Sequence, residues 1–506
     1  MPVQNRAVKP RFRRALPWLA AVASGVLYAL AFPRFDLFPL AFIFLLPLLA
    51  ALDHTPLNAF SLFLVFGATA HLVLLYWMPR VMIRYGGMSV ALSILAFLMV
   101  AAILSLVTAI AGWGMGRLWR APRPWWFAVA LLWVGKDLVL EEFMTGFPWC
   151  LVGTSQYRNL PFLQTAALGG VHFTGLLVIL INLLFFRWWR HRDRRSGTLL
   201  ILILVLTHGG GWLRMSRLES NLRNLPHHRA GVIQPNSHHD RVLSWREREI
   251  RLEELLAESG RLVKEGGAEF VVWPEYSVTL YPLQNTVYRD RMLRFSRQYA
   301  PLLAGFTDIQ DKGIIKNAMV RFAAKGIQTY HKVHLTPFGE YIPFRRLFFF
   351  VPRIVNEITD FTPGDSLHSL TINDVPVATP ICFEIVFPRL VRSLVTGGAQ
   401  IIVTISNDSW FGDTSAPGQH MSAAVLRSVE NQRYLLRSTS NGISVAVSPG
   451  GRIIRYSPYG KADRFVVPLH YLNARTPFMR GGWLFAHLCL ILGLGALFIC
   501  RQKRRG

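Results

Sequence analysis

Phe270-Val-Val-Trp-Pro-Glu-Tyr-Ser277 carries the reading of the fold: a short apolar, β-branched run ends, through Trp-Pro, on a carboxylate. Two other stretches share this design. Tyr330-His-Lys-Val-His-Leu-Thr-Pro-Phe-Gly-Glu340 leaves a lysine where a strand would stop, and Pro376-Val-Ala-Thr-Pro-Ile-Cys-Phe-Glu384 leaves a cysteine. Further runs at Gly231-Val-Ile-Gln, Leu302-Leu-Ala-Gly, Ala318-Met-Val-Arg-Phe, Ile401-Ile-Val-Thr-Ile and Ile443-Ser-Val-Ala-Val alternate with helical patterns over 240–265 and 418–436. Short strands alternating with helices predict an α/β domain.

The ends of strands are where such domains gather their chemistry. A thiol, a carboxylate and an ammonium brought together divide the work: the carboxylate takes the thiol proton, the thiolate attacks a carbonyl, and the ammonium stabilises the oxyanion. Cys382 is the one cysteine in polar, motif-bearing sequence. Cys489 and Cys500 fall in an apolar stretch, Cys150 follows Gly146-Phe-Pro-Trp149, and the four are too scattered for a disulfide framework. His331 and His334 have ligand-like spacing but no third ligand, so neither a metal nor a cofactor is expected.

Around this segment the composition changes. The 506 residues are 52% hydrophobic and 17% charged, too apolar and too long for one soluble domain. Eight stretches approach the roughly 20 apolar residues that cross a bilayer: 15–32, 37–52, 57–78, 88–112, 125–141, 161–186, 198–212 and 482–500. The fifth is interrupted by Lys136 and Asp137, and the apolar core of the seventh is short. No small-residue cleavage site closes the first, so it reads as an anchor and not a leader.

The net charge of +26 comes in clumps beside these stretches, at Arg6–Arg14, Arg187–Arg195 and Arg501–Arg505. That distribution fits the positive-inside rule and not nucleic-acid binding. Eight spans with both termini in the cytoplasm keep those clusters, with Arg117, Arg120 and Arg123, on the inner side, and leave Arg80, Arg84 and Arg158 outside. The expected division is therefore helices 1–7 within 1–212, an external, periplasmic catalytic domain over 213–481, and a last helix with a basic tail over 482–506.

From Gly231 to Val467 the chain resembles the nitrilase superfamily, whose Glu-Lys-Cys triad sits on an αββα sandwich. With the helices added it resembles the membrane-bound apolipoprotein N-acyltransferases. The resemblance is carried by Trp273-Pro-Glu275, Pro337-Phe-Gly-Glu-Tyr-Ile-Pro343, Ser406-Asn-Asp-Ser-Trp-Phe-Gly412, Gln419-His420, Arg427-Ser-Val-Glu-Asn-Gln-Arg433, Leu436-Arg-Ser-Thr439, Phe38-Pro-Leu-Ala41 and Gly146-Phe-Pro-Trp149. It implies Glu275 as general base, Lys332 as oxyanion stabiliser, Cys382 as nucleophile and Glu340 as a second acid beside the lysine. It also implies Phe383 and Glu384 beside the nucleophile, and Trp245 and Asn317 on the substrate side. The family usually has Tyr where this chain has Phe383, so the ring is kept and the hydroxyl is not.

The implied reaction moves an acyl chain from a membrane phospholipid, through a Cys382 thioester, to the α-amino group of an N-terminal diacylglyceryl-cysteine on an apolipoprotein. All spans and motifs lie in one chain, so a monomer in the inner membrane is expected. The apolar stretch from Arg345 to Val355 is expected to act as a lid. Two alternatives stand beside this reading. One is a hydrolase in which water resolves the thioester. The other is a transporter with an external binding module, whose signature would be charges along several spans or inverted repeats.

Overall fold

The structure, a computed structural model, describes residues 10–54, 58–121, 125–237, 243–342 and 360–502. The expected lid, from Arg345 to Val355, lies outside them. The first half is helical. Helix α1 (Pro10–Leu30) and a 3-10 turn at Phe38–Phe42 lead to α2 (Leu46–His54), α3 (Ala59–Leu74), α4 (Met78–Arg84), α5 (Val90–Trp119) and α6 (Ala128–Glu142). A short α7 (Leu160–Leu163) precedes α8 (Ala166–His191) and α9 (Arg194–Leu222). Asn58, Ser89 and Asp193 supply side-chain caps where α3, α5 and α9 begin.

Among the described residues, four helices are long and apolar enough to cross a membrane: Val90–Trp119, Ala166–His191, Arg194–Leu222 and Gly482–Gln502. The bent pair α3 and α4, 49° apart, makes a fifth if counted as one span. Eight expected stretches thus become four or five by length and composition. Of the remainder, α2 with its preceding turn and α6 are shorter, and with one face of α1 they build a common buried core. Phe44, Phe66 and Trp133 stack around Tyr28 at ring-centroid distances of 5.0–6.4 Å. Gly112 of α5 lets Phe63 of α3 approach, since a Cβ there would lie 2.2 Å from its ring. Lys136 and Asp137 of α6 are both buried and pair with each other at 2.5 Å. The seventh stretch is longer than its apolar core suggests, because α9 runs on to Leu222, past the boundary expected at 212.

The second half is a sandwich of two six-stranded sheets. Strands β1 (His228–Gln234), β2 (Phe270–Val272), β3 (Leu302–Ile309), β4 (Ile315–Ala323) and β5 (Gly326–His331) belong to the first. Strands β6 (Leu370–Ile372), β7 (Val375–Ala378), β8 (Ile401–Ser406), β9 (Leu435–Thr439), β10 (Ser444–Val447) and β11 (Ile453–Ser457) form the second. Strand β12 (Asp463–Leu469) returns to pair antiparallel with β1. In each sheet the strands nearest the centre are parallel.

Side-chain alternation builds the layers. Along β3, Leu303 joins a core shared with Val403 and Leu436 of the other sheet, while Leu302 and Ala304 face Leu252 and Leu255 of α10 (Trp245–Lys264) and Met292 of α11 (Thr286–Gln298). Helices α12 (Pro388–Thr396) and α13 (Ala416–Asn431) cover the second sheet with Val391, Leu394, Val425 and Val429. The order is helix, sheet, sheet, helix. A short α14 (Pro477–Arg480) then leads to α15 (Phe485–Gln502).

One expected element ends early. The helix predicted over 418–436 stops at Asn431, where Gln432 takes a left-handed φ of 49°, and Leu435 and Leu436 enter β9. Their apolar spacing suits a buried strand, parallel to β8 and antiparallel to β10, as well as a helix face.

Candidate active site

The carboxylate arrives first. Residues 273–277 are laced onto β3: Trp273 donates its N–H to Leu303 O, Gly305 to Pro274 O, and Ser277 to Gly305 O. The backbones approach so closely that a Cβ on Gly305 would lie 2.5 Å from Glu275 Cα. Glu275 is buried, and its two oxygens accept from Asn317 Nδ2 at 2.7 Å and from the Asn407 N–H at 2.7 Å.

Lys332 is the residue after β5, held by its N–H to Asn317 O on β4. Its ammonium lies 2.6 Å from Glu340 Oε2 and 3.2 Å from Thr336 Oγ1. Asn317 also donates to Glu340 Oε1 at 2.8 Å, so one amide ties both carboxylates together. Cys382 opens a tight turn after β7 with φ of 52°, a left-handed conformation unusual for a residue with a Cβ. Its sulfur lies 3.3 Å from Ser406 Oγ at the end of β8.

The electrostatics match the geometry. Burial pushes the Cys382 thiol up, and the Glu275 carboxylate pushes it further, while Lys332 pulls it down without prevailing. The resting group is therefore a thiol. Burial also raises Glu275 above the usual carboxylate range against the pull of Lys332, which makes it a competent proton acceptor. Burial would raise Glu340 as well, but the Lys332 ammonium outweighs it and holds that carboxyl below its ordinary value. Lys332 itself is raised: burial opposes its charge, and Glu340, Cys382 and Glu275 outweigh burial. A lasting cation thus sits between two acids and a thiol.

Glu384 does not face the sulfur. It braces the two loops that carry the lysine and the thiol, accepting from Val333 N, His334 N and Tyr330 OH on Oε1 and from Ile381 N and Tyr330 OH on Oε2. Phe383 is buried in an aromatic wall with Phe387, His334, Trp149 and Phe147, at centroid distances of 5.2–6.5 Å. Trp149 and Phe147 come from the loop after α6, so the helical half lines one side of this site. The two halves are tied again at Gln419. Its Oε1 accepts from Trp77 and Trp149 indole N–H groups, and its Nε2 donates to Pro33 O and Leu74 O.

The structure brings Glu275, Lys332, Glu340, Asn317, Cys382, Phe383 and Glu384 together. Trp245 stands apart, at the first turn of α10 after the Ser244–Glu247 capping box, with its ring on Tyr288 and more than half exposed. His331 pairs with Asp308 and His334 with Thr145 O. Sequence reasoning assigned no role to Ser406, Asp408, His420 or Arg437, which form a buried chain behind the thiol. All four lie in quoted motifs, but Arg437 meets Asp408 across 29 positions and Ser406 meets Cys382 across 24.

Residues 24–184 match the family described as apolipoprotein N-acyltransferase N-terminal domain, and 229–463 match carbon-nitrogen hydrolase. An apolipoprotein N-acyltransferase of Geobacter metallireducens is 32% identical over 492 residues, covering 94% of this chain and 93% of the relative. One from Pseudomonas syringae pv. tomato is 28% identical and covers 96% of this chain and 97% of its own. Among solved structures, an amidase from Nesterenkonia sp. overlays 51% of this chain and 94% of its own at 18% identity, with a TM-score of 0.39.

Proposed function

The chain belongs to the apolipoprotein N-acyltransferase family, and from that premise we propose that it moves an acyl chain from a membrane phospholipid to the N-terminal amine of a diacylglyceryl-apolipoprotein by a two-step exchange at Cys382. Glu275 takes the thiol proton. The thiolate attacks the ester carbonyl, and Lys332 stabilises the resulting oxyanion. Collapse expels the lysophospholipid, whose alkoxide takes the proton from Glu275, and leaves the thioester. The α-amino group then attacks the thioester, Glu275 accepts its proton, and thiolate departs. Glu340 keeps Lys332 charged and in place, while Asn317 orients both carboxylates.

The observation that carries this reading is a buried thiol beside a carboxylate and an ammonium in a domain whose wall includes Phe147 and Trp149 of the helical half. Both substrates are lipid-anchored, so a site fixed at the bilayer meets them at high effective concentration. The nitrilase-superfamily domain, taken as 213–481, sits on the periplasmic side of the inner membrane. Helices α1, α2 and α6 complete eight spans, with both termini inside. The chain works as a monomer.

The test is product analysis. Purified protein in phospholipid vesicles receives a diacylglyceryl-cysteine peptide, and the account expects an N-acylated peptide and one lysophospholipid per turnover. Release of free fatty acid with unmodified peptide would instead establish a hydrolase.

A further inference from the structure

The thiol has a partner outside the triad. Ser406 Oγ lies 3.3 Å from Cys382 Sγ and 2.8 Å from Asp408 Oδ1. A hydroxyl has one proton to give and lone pairs to receive, so it cannot donate to both at once. While Asp408 is a carboxylate and Cys382 a thiol, the hydroxyl donates to Asp408 and accepts from S–H.

Asp408 is fixed in that form. Arg437 Nη2 reaches its two oxygens at 2.6 and 2.8 Å, all of it buried. Burial alone would raise this carboxyl, but Arg437 outweighs it and holds Asp408 well below the carboxylate range, so it receives no proton. His420 Nε2 faces Cys382 O at 3.0 Å, and a carbonyl only accepts, so Nε2–H donates there, while Nδ1 lies 3.2 Å from Arg437 Nη2 and 3.5 Å from Asp408 Oδ1. The chain Arg437, Asp408, Ser406 thus ends on the sulfur, and its branch through His420 pins the backbone of the same strained residue.

We infer that Ser406 is a positioning residue for the nucleophile, whose hydroxyl turns from Asp408 to the Cys382 sulfur when the thiol gives up its proton. The inference rests on the thiol chemistry proposed above and adds no new reactant. The S–H proton goes to Glu275, and Ser406 keeps its own. One hydrogen bond to Asp408 is exchanged for one to the thiolate, and Arg437 continues to satisfy the carboxylate. The other groups acting on Cys382 are Glu275, Lys332, Glu340 and Tyr276. Among the described residues, Ser406 is the one neutral side chain hydrogen-bonded to the sulfur. Its backbone N–H and C=O lie in the β8–β9 ladder and on Ser440 N, so removing the hydroxyl leaves them in place.

The test is the pH profile of Cys382 alkylation by iodoacetamide in the purified full-length chain, read by mass spectrometry of the Cys382 peptide. Ser406→Ala is expected to displace the rising limb of the profile upward by about one pH unit and to slow acyl transfer at neutral pH roughly tenfold, as for loss of one hydrogen bond to a charged group, with recovery at higher pH. Ser406→Thr, which keeps the hydroxyl, is expected to retain the wild-type limb. An unmoved profile in Ser406→Ala, with or without loss of activity, overturns the inference, as does a Ser406→Thr profile displaced as far as that of Ser406→Ala. The alkylation profile needs no acyl donor, so it is read even if the wild type proves to transfer nothing.

Discussion

Replacing Glu384 by glutamine tests whether the site depends on a brace that never meets the substrate. The carboxylate receives four donors, Val333 N at 2.8 Å, His334 N at 3.0 Å, Ile381 N at 2.8 Å and the Tyr330 hydroxyl at 3.0 Å, and each oxygen faces at least two of them. A glutamine has one acceptor oxygen. Turned so as to keep Val333 and His334, it sets its own N–H₂ against the Ile381 N–H, which loses a hydrogen bond to a charged group and opposes two donors. That loss costs about 2 kcal/mol, or roughly 4–8 °C in unfolding temperature for a domain of this size. The freed segment is the one that holds Cys382 at its left-handed φ. A shift of about 1 Å there slows acylation up to roughly 100-fold. Thermal unfolding of the purified chain, together with the rate of lysophospholipid release, reads both effects. A Glu384→Gln protein that unfolds at the wild-type temperature and turns over at the wild-type rate would refute the brace.

Two further perturbations follow from the same geometry. Asn317→Ala removes the single amide that holds Glu275 and Glu340; the turnover rate is expected to fall roughly 100-fold with little change in KM, and an unchanged rate would place Asn317 outside the machinery. Glu430, which accepts from Val171 N and Arg427, is pushed up to about 7 by burial despite Arg427. A carboxyl whose folded value lies above its ordinary one of 4.5 makes stability fall as pH rises between about 4.5 and 7, at up to about 1.4 kcal/mol per pH unit. Glu430→Gln should remove that slope in unfolding temperatures at pH 5, 6 and 7, and parallel profiles would contradict the assignment.

The grouping of Glu275, Lys332 and Cys382, the triad proposed here, was legible because each follows a short apolar run, and β2, β5 and β7 stop within four residues of them. The sandwich was legible for the same reason: β3 and β4 are short apolar runs buried along nearly their whole length, with alternate residues facing one core or the other. What the chain hides are long-range polar pairings. Gln419 meets Trp77 and Trp149 across 342 and 270 positions, and Arg437 meets Asp408 across 29, separations that periodicity does not report. Only resemblance puts Trp245 near the substrate, and the capping box that sets it at the exposed start of α10 says nothing about chemistry. The number of spans is not legible in apolar stretches alone, because α2 and α6 are short and, with one face of α1, spend their apolar residues on a core that includes Tyr28, Leu48 and Trp133. The end of α13 is not legible because a buried strand and a helix face present the same apolar spacing at Leu435 and Leu436.

The central claim, that Cys382 carries the acyl group, is tested most directly by intact-mass spectrometry of the purified protein after incubation with phospholipid, beside Cys382→Ala, followed by a diacylglyceryl-cysteine peptide. The account predicts one acyl adduct on Cys382, none on the alanine variant, and transfer of that adduct to the peptide amine. A folded wild-type protein that modifies the peptide without ever acquiring the adduct, or an adduct of equal yield in Cys382→Ala, would contradict it.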